Sequence, residues 1–214
     1  MYVITPQTLG ANKFGDVVGG NYAEFEADGT LVFHGDARVW DDLEGPMLTS
    51  RPESPSSDVV INLVDLTMDF KTSARYPTDY ATYSKQMRHR YDPTTQIDLH
   101  LHWIQNSADI PNWLILWRVH YNGAAPGAWS SPVKWDSHIF TYPGSGDFGQ
   151  ITEFGYITAV NNISFGVDVL VYRDYTNVST LFAGTDQHAG IAQAKFFDCH
   201  FVNNKLGSRE EYTY

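Results

Sequence analysis

Residues 97–103 read Ile97-Asp98-Leu99-His100-Leu101-His102-Trp103, with apolar and polar side chains in strict alternation. Because successive side chains of a β-strand point to opposite faces, this pattern predicts a half-buried strand. One face would carry the apolar side chains into a core, and the other would present Asp98, His100 and His102. The segment therefore indicates a sheet that packs on a core through one face only.

The chain on either side of this segment predicts further strands. Residues 113–121 are apolar on one face and partly apolar on the other, which predicts a central strand paired antiparallel with 97–104. Tyrosines spaced four and three residues apart predict one short helix within residues 71–86. Further predicted strands lie at residues 31–33, 37–40, 59–64, 133–140, 151–160, 164–173 and 194–202. Together these elements predict an all-β fold, an antiparallel, jelly-roll-like β-sandwich.

The domain organisation follows from length and local composition. The 214 residues suffice for one sandwich domain, which we place at residues 31–206. Residues 1–30 are polar and contain several glycines, so they predict an extended N-terminal arm. Residues 207–214 are charged and predict a C-terminal tail. Residues 44–58 are rich in proline and serine, which predicts a contact loop inside the domain.

Charge and composition exclude several classes of function. The formal net charge of −11 argues against a nucleic-acid-binding surface, since phosphate contacts need clustered lysine and arginine. Cys199 is the only cysteine, so an intrachain disulfide is impossible, and we expect a buried, unreactive thiol. The first residues lack the pattern of a secretory signal, and no apolar run reaches the length of a membrane span. We therefore expect synthesis in a cytoplasm and no membrane partner.

His100 and His102 form the sharpest candidate for a metal site, because residues i and i+2 of a strand share a face. His120, Asp168 and His200 lie on the polar faces of other predicted strands, so a histidine-rich cluster on one sheet is geometrically possible. A cupin-like metal-dependent enzyme uses such a pair, but the glutamate that follows the pair in cupins is missing here. We expect no catalytic residue and no cofactor. We expect His100, His102 and His120 to face outward between subunits, with a metal site as the alternative.

Aromatic residues beside loops indicate another kind of binding. The four candidates are Trp129, Trp135, Tyr142 and Phe148. Rings carried on the loops of a sandwich can stack on sugars, or they can simply close the ends of the sandwich. The chain has no Gly-x-Ser-x-Gly nucleophile motif and no phosphate-binding loop motif. Sugar binding is therefore an alternative that needs no catalytic residue.

Three segments of the chain, taken in order, carry a family resemblance. They are His34-Gly35-Asp36-Ala37-Arg38-Val39-Trp40-Asp41-Asp42-Leu43, Ile97-Asp98-Leu99-His100-Leu101-His102-Trp103 and Leu206-Gly207-Ser208-Arg209-Glu210-Glu211-Tyr212. They resemble a family of small virion proteins of tailed bacteriophages. That family carries a Gly-Asp-Ala-x-Val-Trp-Asp-Asp segment, then a His-x-His-Trp strand, then a Gly-Ser-Arg-x-Glu-Tyr-like end. The resemblance spans residues 34–212.

The resemblance implies a non-enzymatic component of the phage particle, most simply a head decoration or cement protein of jelly-roll form. The implied partners are the major capsid protein and neighbouring copies of the chain in a homotrimer, and the implied location is the virion after assembly in the host cytoplasm. A tail or neck protein, or a host-adhesion (carbohydrate-binding) module of the virion, is the alternative. The N-terminal arm and the 44–58 loop are expected contact segments. The expected contact residues are Trp40, Asp41, Arg209, Glu210, Glu211 and Tyr212.

Overall fold

The computed structural model describes residues 13–27, 29–47, 58–138, 140–162 and 164–206. Within these ranges the strands are β1 Lys13–Asp16, β2 Asn21–Phe25, β3 Leu31–Phe33, β4 Val39–Pro46, β5 Val59–Asn62, β6 Thr67–Phe70, β7 Tyr80–Gln86, β8 Ile97–Gln105, β9 Trp113–Tyr121, β10 Val133–Lys134, β11 Ser137–His138, β12 Phe148–Ile157, β13 Phe165–Arg173 and β14 Ala192–Asn203. A 3-10 turn, Gly35–Ala37, precedes β4. Among the described residues, no helix is long and apolar enough to cross a membrane.

The strands form three antiparallel sheets. A seven-stranded sheet has the order β11-β12-β8-β14-β6-β5, with β4 also paired to β14. A four-stranded sheet has the order β10-β9-β13-β7, and a small sheet consists of β1, β2 and β3. The seven-stranded and four-stranded sheets enclose one hydrophobic core between them. The predicted fold class, an antiparallel, jelly-roll-like β-sandwich, is confirmed.

The core is built from the alternating apolar residues of the longest strands. β13 is typical, because Val167, Val169 and Val171 are fully buried and β-branched residues favour extended backbone. Between the sheets, the rings of Trp103 and Trp113 meet edge to face with centroids 6.2 Å apart. The core residues of β8 and β14 are Ile97, Leu99, Leu101, Trp103, Ala192, Ala194, Phe197, Cys199 and Phe201. The outer faces of both sheets carry polar side chains such as His102 and Asp168, together with a few apolar ones such as Leu116.

The predicted pairing of residues 113–121 with 97–104 is wrong. β9 lies in the four-stranded sheet and pairs with β13, from Trp113 opposite Arg173 to Tyr121 opposite Phe165. β8 pairs instead with β12 and β14 in the other sheet. The loop after β8 crosses from the seven-stranded sheet to the four-stranded sheet. β8 and β9 therefore direct their apolar faces into the core from opposite sides. Alternation predicts both strands but does not specify which sheet each one joins.

The predicted helix within residues 71–86 is also wrong, because residues 80–86 form β7. Ala81 and Tyr83 point into the core, while Thr82 and Ser84 lie on the outer face. β7 pairs with β13 along its whole length. Tyrosine and threonine favour strands, and this sheet pairing outweighs the helical spacing of the tyrosines.

The strand predicted at residues 59–64 ends earlier, at Asn62. Leu63 and Val64 are exposed in the turn between β5 and β6 rather than buried. The Asn62 side chain accepts hydrogen bonds from the backbone N–H groups of Val64 and Asp65, and this turn stops the strand.

Parts of the predicted arm and loop have a defined structure. Residues 13–25 form the β1–β2 hairpin, and β2 pairs with β3. A bridge between Val32 and Lys205 joins this small sheet to the chain just after β14. Glu44, Gly45 and Pro46 of the predicted 44–58 loop belong to β4, while residues 48–57 and the predicted tail 207–214 lie outside the described residues. The domain boundaries at residues 30 and 206 stay predictions.

Candidate functional site

A cluster of histidines and carboxylates lies on the outer face of the seven-stranded sheet. β8 and β14 pair so that His100 lies directly opposite Asp198, and His200 shares the face of Asp198 two residues further along. His102 follows His100 on the same face of β8. On the flanking strands, Glu153 of β12 lies opposite His100, and Asp42 of β4 lies opposite His200. We call His100, His102, Asp198, His200, Asp42 and Glu153 the histidine–carboxylate cluster.

Asp198 is at the centre of this cluster. Its Oδ2 atom lies 3.0 Å from Nε2 of His102 and 3.1 Å from Nε2 of His200. Nε2 of His200 is also 3.0 Å from Oδ1 of Asp42. Nδ1 of His100 is 3.7 Å from Oδ1 of Asp198, and Nε2 of His100 is 3.9 Å from Glu153, so both contacts exceed hydrogen-bond length. His100 is therefore close to two carboxylates but hydrogen-bonded to neither.

Burial and charge shift the pKa values of three of these residues. Burial raises the pKa of Asp198, but the hydrogen bonds from His102 and His200 outweigh burial and bring it to about 2. The hydrogen bond to Asp198 is the main reason that the pKa of His200 is raised. Burial, with repulsion from His200, lowers the pKa of His100. The cluster thus places a carboxylate beside imidazoles, and side chains of both kinds coordinate metal ions.

The structure divides the predicted histidine group between the two sheets. His100, His102 and His200 belong to the cluster, but His120 and Asp168 lie on the outer face of the four-stranded sheet. There Nδ1 of His120 is 3.3 Å from Oδ2 of Asp168. The separation follows from β8 and β9 lying in different sheets, and it excludes a single site made of His100, His102 and His120.

The site predicted from the sequence lacks Asp42, Glu153 and Asp198. Asp198 could have been found, since Asp198-x-His200 repeats the i, i+2 spacing of His100-x-His102 on another strand. Asp42 and Glu153 join the cluster because their strands pair with strands distant in sequence. The residues next to them in the sequence form no pattern that would predict this pairing.

Cys199 lies on the inner face of β14, opposite in direction to His200. The thiol is fully buried, and this burial raises its pKa. A thiol with a raised pKa is a poor nucleophile, because the thiolate is the reactive form. The expected burial of Cys199 is confirmed, and its low reactivity stays a prediction.

A cleft on the outer face of the four-stranded sheet contains one of the predicted aromatic residues. It has a volume of about 280 Å³, and its lining includes Trp129, Arg118, Asp168, Ser84 and Tyr80. The Arg118 guanidinium lies 4.4 Å from the centre of the Trp129 ring, and its Nε donates to Asp168 at 2.8 Å. The Ser84 hydroxyl donates to the same carboxylate at 2.6 Å. The cleft thus combines a half-exposed indole with groups that donate and accept hydrogen bonds.

The other three predicted aromatic residues do not join this cleft. Trp135 packs against the hydrophobic core. The Tyr142 hydroxyl donates to the backbone carbonyl of Gly146 at 3.0 Å. Phe148 lines a separate cavity of about 400 Å³ on the seven-stranded sheet. The four aromatic residues therefore do not form one sugar-stacking platform.

The predicted contact residues fall into two groups. Trp40 is 61% exposed near the start of β4. Asp41 forms ion pairs with Arg88, at 2.7 Å, and with Arg90, so its carboxylate is held by the turn after β7. The remaining contact residues, Arg209, Glu210, Glu211 and Tyr212, lie outside the described residues.

Comparison with known proteins returns little for this chain. No family model matches it, and no curated protein matches it. Among solved structures, TmCBM61 in complex with beta-1,4-galactotriose is similar at a TM-score of 0.26 and 12% sequence identity, over 77% of this chain and 88% of that chain. The function of the present chain must therefore be inferred from its own residues.

Proposed function

We propose that the protein is a non-enzymatic structural protein of a phage virion, most simply a head decoration or cement protein that binds the capsid shell and neighbouring copies of itself. Two independent features support the proposal. One is the resemblance of three segments to small virion proteins of tailed phages. The other, which carries the proposal physically, is an apolar hairpin at the edge of the seven-stranded sheet.

The edge hairpin consists of β5, β6 and the turn between them. Ile61, Leu63, Val64 and Leu66 are exposed by 46%, 74%, 90% and 54% of their surface. β5 is the terminal strand of its sheet, so its outer backbone edge has no neighbouring strand among the described residues. Apolar side chains grouped at an open sheet edge are typical of protein–protein contacts.

The turn holds these side chains in a defined position. Besides accepting two backbone hydrogen bonds, Asn62 donates through Nδ2 to Asp65 at 2.9 Å and to Asp69 at 3.0 Å. An ordered apolar turn loses little conformational entropy when a partner covers it. Burying one such side chain contributes about 1.5–3 kcal/mol, so two at the tip suffice for a substantial contact.

The charge of the chain fits the same role. Its formal net charge of −11 would attract a more basic shell. The apolar hairpin then supplies the short-range contact. Binding of the chain to shells should accordingly weaken as the salt concentration rises.

The experiment replaces both residues at the tip, in the double variant Leu63→Ser/Val64→Ser. Because both side chains are exposed, the variant should unfold at nearly the same urea concentration as wild type. It should bind purified shells that lack the protein at least about tenfold more weakly, the loss expected for about 1.4 kcal/mol. Co-sedimentation measures shell binding, and analytical ultracentrifugation measures self-association.

Val178→Ser is the matched control, since Val178 is 54% exposed but lies in a different loop. It should bind shells as wild type does. The proposal fails if wild type binds no shells, or if the double variant and the control bind equally well.

A second candidate function is carbohydrate binding, favoured by the cleft at Trp129. The ring can stack on a sugar face, while Arg118, Asp168 and Ser84 lie within reach of its hydroxyl groups. The segment that carries Trp129 is anchored by Ser130, whose Oγ accepts a hydrogen bond from the Trp117 backbone N–H at 3.0 Å. Such a site would suit a host-adhesion module of the virion.

A glycan array tests this second candidate. Wild type should bind at least one glycan reproducibly, Trp129→Ala should lose that binding, and Trp40→Ala should keep it, because Trp40 is an exposed tryptophan on the other sheet. Absence of any glycan binding by wild type, or binding that survives in Trp129→Ala, would rule out this cleft as a sugar site.

A further inference from the structure

We propose that the histidine–carboxylate cluster binds one divalent transition-metal ion through His100, Asp198 and His200. This site is independent of the proposed virion role, since it lies on the outer face of the seven-stranded sheet rather than in the edge hairpin. The donor set is two imidazole nitrogens and one carboxylate oxygen. Such a set suits zinc and the neighbouring first-row metals, whereas calcium and magnesium prefer oxygen ligands throughout.

The three side chains already converge. One potential ligand atom from each of His100, Asp198 and His200 lies within 4.8 Å of the other two. Two ligands on one zinc ion, each at about 2.0–2.2 Å from it, are separated by about 3–4 Å. The 3.7 Å between Nδ1 of His100 and Oδ1 of Asp198 falls in this range.

A second observation is independent of the spacing of these atoms. Nδ1 of His100 and Oδ1 of Asp198 are both buried, and neither has a hydrogen-bond partner among the residues that the structure describes. The two side chains are only 9% and 4% exposed. Leaving such atoms without partners is costly, and buried polar atoms in folded proteins are nearly always satisfied. A cation between them would satisfy both atoms at once.

The surroundings fit a metal centre as well. His102 approaches the other carboxylate oxygen of Asp198 at 3.0 Å, and hydrogen bonds of this kind orient a ligating carboxylate. Asp42 and Glu153 add negative charge on the two flanking strands. His200 is 31% exposed, so an ion can enter from the solvent side while His100 and Asp198 form the buried floor.

The test uses untagged, full-length protein dialysed against a chelator and then titrated with Zn²⁺ and Co²⁺ by calorimetry. Wild type should bind one ion per chain. His100→Gln and His200→Gln should each weaken metal binding by more than about 100-fold. That is the upper end of the loss seen when only a residue that hydrogen-bonds to a metal ligand is removed. His120→Gln should bind as wild type, because His120 also contacts a carboxylate but lies on the other sheet.

X-ray absorption of the zinc-loaded wild type gives a readout that does not depend on the variants folding. It should show at least two imidazole ligands and one oxygen ligand. The proposal is overturned if wild type binds neither metal at millimolar concentration, if both histidine variants bind like wild type, or if the spectrum shows no imidazole.

Discussion

At the scale of single residues, the buried ion pair of Arg173 and Asp186 organises a long loop. Arg173 at the end of β13 is fully buried, and its Nε donates to Asp186 at 2.8 Å. Its other N–H groups donate to the backbone carbonyls of Phe70, His188 and Gly190 and again to Asp186, at 3.3 Å. The pair therefore connects β13 both to β6 and to the loop before β14.

Arg173→Ala should destabilise the fold by about 3–5 kcal/mol, because it leaves the Asp186 carboxylate buried without its cation and three carbonyls without a donor. Urea unfolding measures the change. Arg118→Ala is the control, since Arg118 also pairs with an aspartate but is partly exposed, and its loss should cost about 1 kcal/mol or less. Equal losses for the two variants would contradict the structural role assigned to Arg173.

The pH dependence of stability can be tested at Asp92. Burial raises the pKa of this carboxyl, but hydrogen bonds from Thr94 and the ion pair with Arg38 at 2.8 Å outweigh burial and hold the pKa below its usual value. A depressed pKa in the folded state means that the stabilisation is present above the unfolded-state pKa of about 3.9 and is lost as the pH falls through the folded value.

Asp92→Asn should therefore lower the free energy of unfolding by about 1–1.5 kcal/mol at pH 7, and the difference from wild type should shrink below pH 4. Urea unfolding at a series of pH values measures this, with the exposed Asp147→Asn as control. A difference that stays constant down to pH 2 would show that the Asp92 charge does not stabilise the fold.

At the scale of elements, alternation predicted the strands well where one face of a strand is buried. β8 and β13 match the predicted segments closely, and the alternating apolar residues Ile97, Leu99, Leu101 and Trp103 of β8 all point to the core. The pairing of strands was not predictable, because His102 and Asp198 meet across 96 residues of sequence. The register that brings them together depends on the whole sheet, and no local pattern encodes it.

The wrong predictions of elements also arise because a local sequence pattern does not specify the surroundings of a segment. The apolar run at residues 59–64 indicated burial, yet its last two residues are exposed at the tip of the edge hairpin. A local apolar pattern cannot distinguish residues buried in a core from apolar residues exposed on the surface. The histidines of β8 were found from their spacing, but the division of the predicted group between two sheets required the topology.

Opposite faces of β9 should differ sharply in their sensitivity to substitution. Ile115 is fully buried in the core, whereas Leu116 lies on the outer face. Ile115→Ala should cost about 2–5 kcal/mol and Leu116→Ala clearly less, as measured by urea unfolding. A larger loss for Leu116→Ala would mean that the orientation of β9 is reversed.

At the scale of the whole molecule, the sandwich separates three surfaces of different chemistry. The outer face of the seven-stranded sheet carries the histidine–carboxylate cluster, the outer face of the four-stranded sheet carries the cleft at Trp129, and the edge hairpin presents apolar side chains. Because the surfaces are separate, a substitution at one should leave binding at the others intact. The proposed roles can therefore be tested one by one.

The proposal that the protein is built into a phage particle is tested most directly by cryo-electron microscopy of washed, intact particles of a phage whose genome carries its sequence. We expect a β-sandwich on the shell at a regular position, with Leu63 and Val64 of the edge hairpin covered by the capsid protein or a neighbouring copy. Particles that lack the sandwich, or a sandwich whose edge hairpin faces solvent, would contradict it.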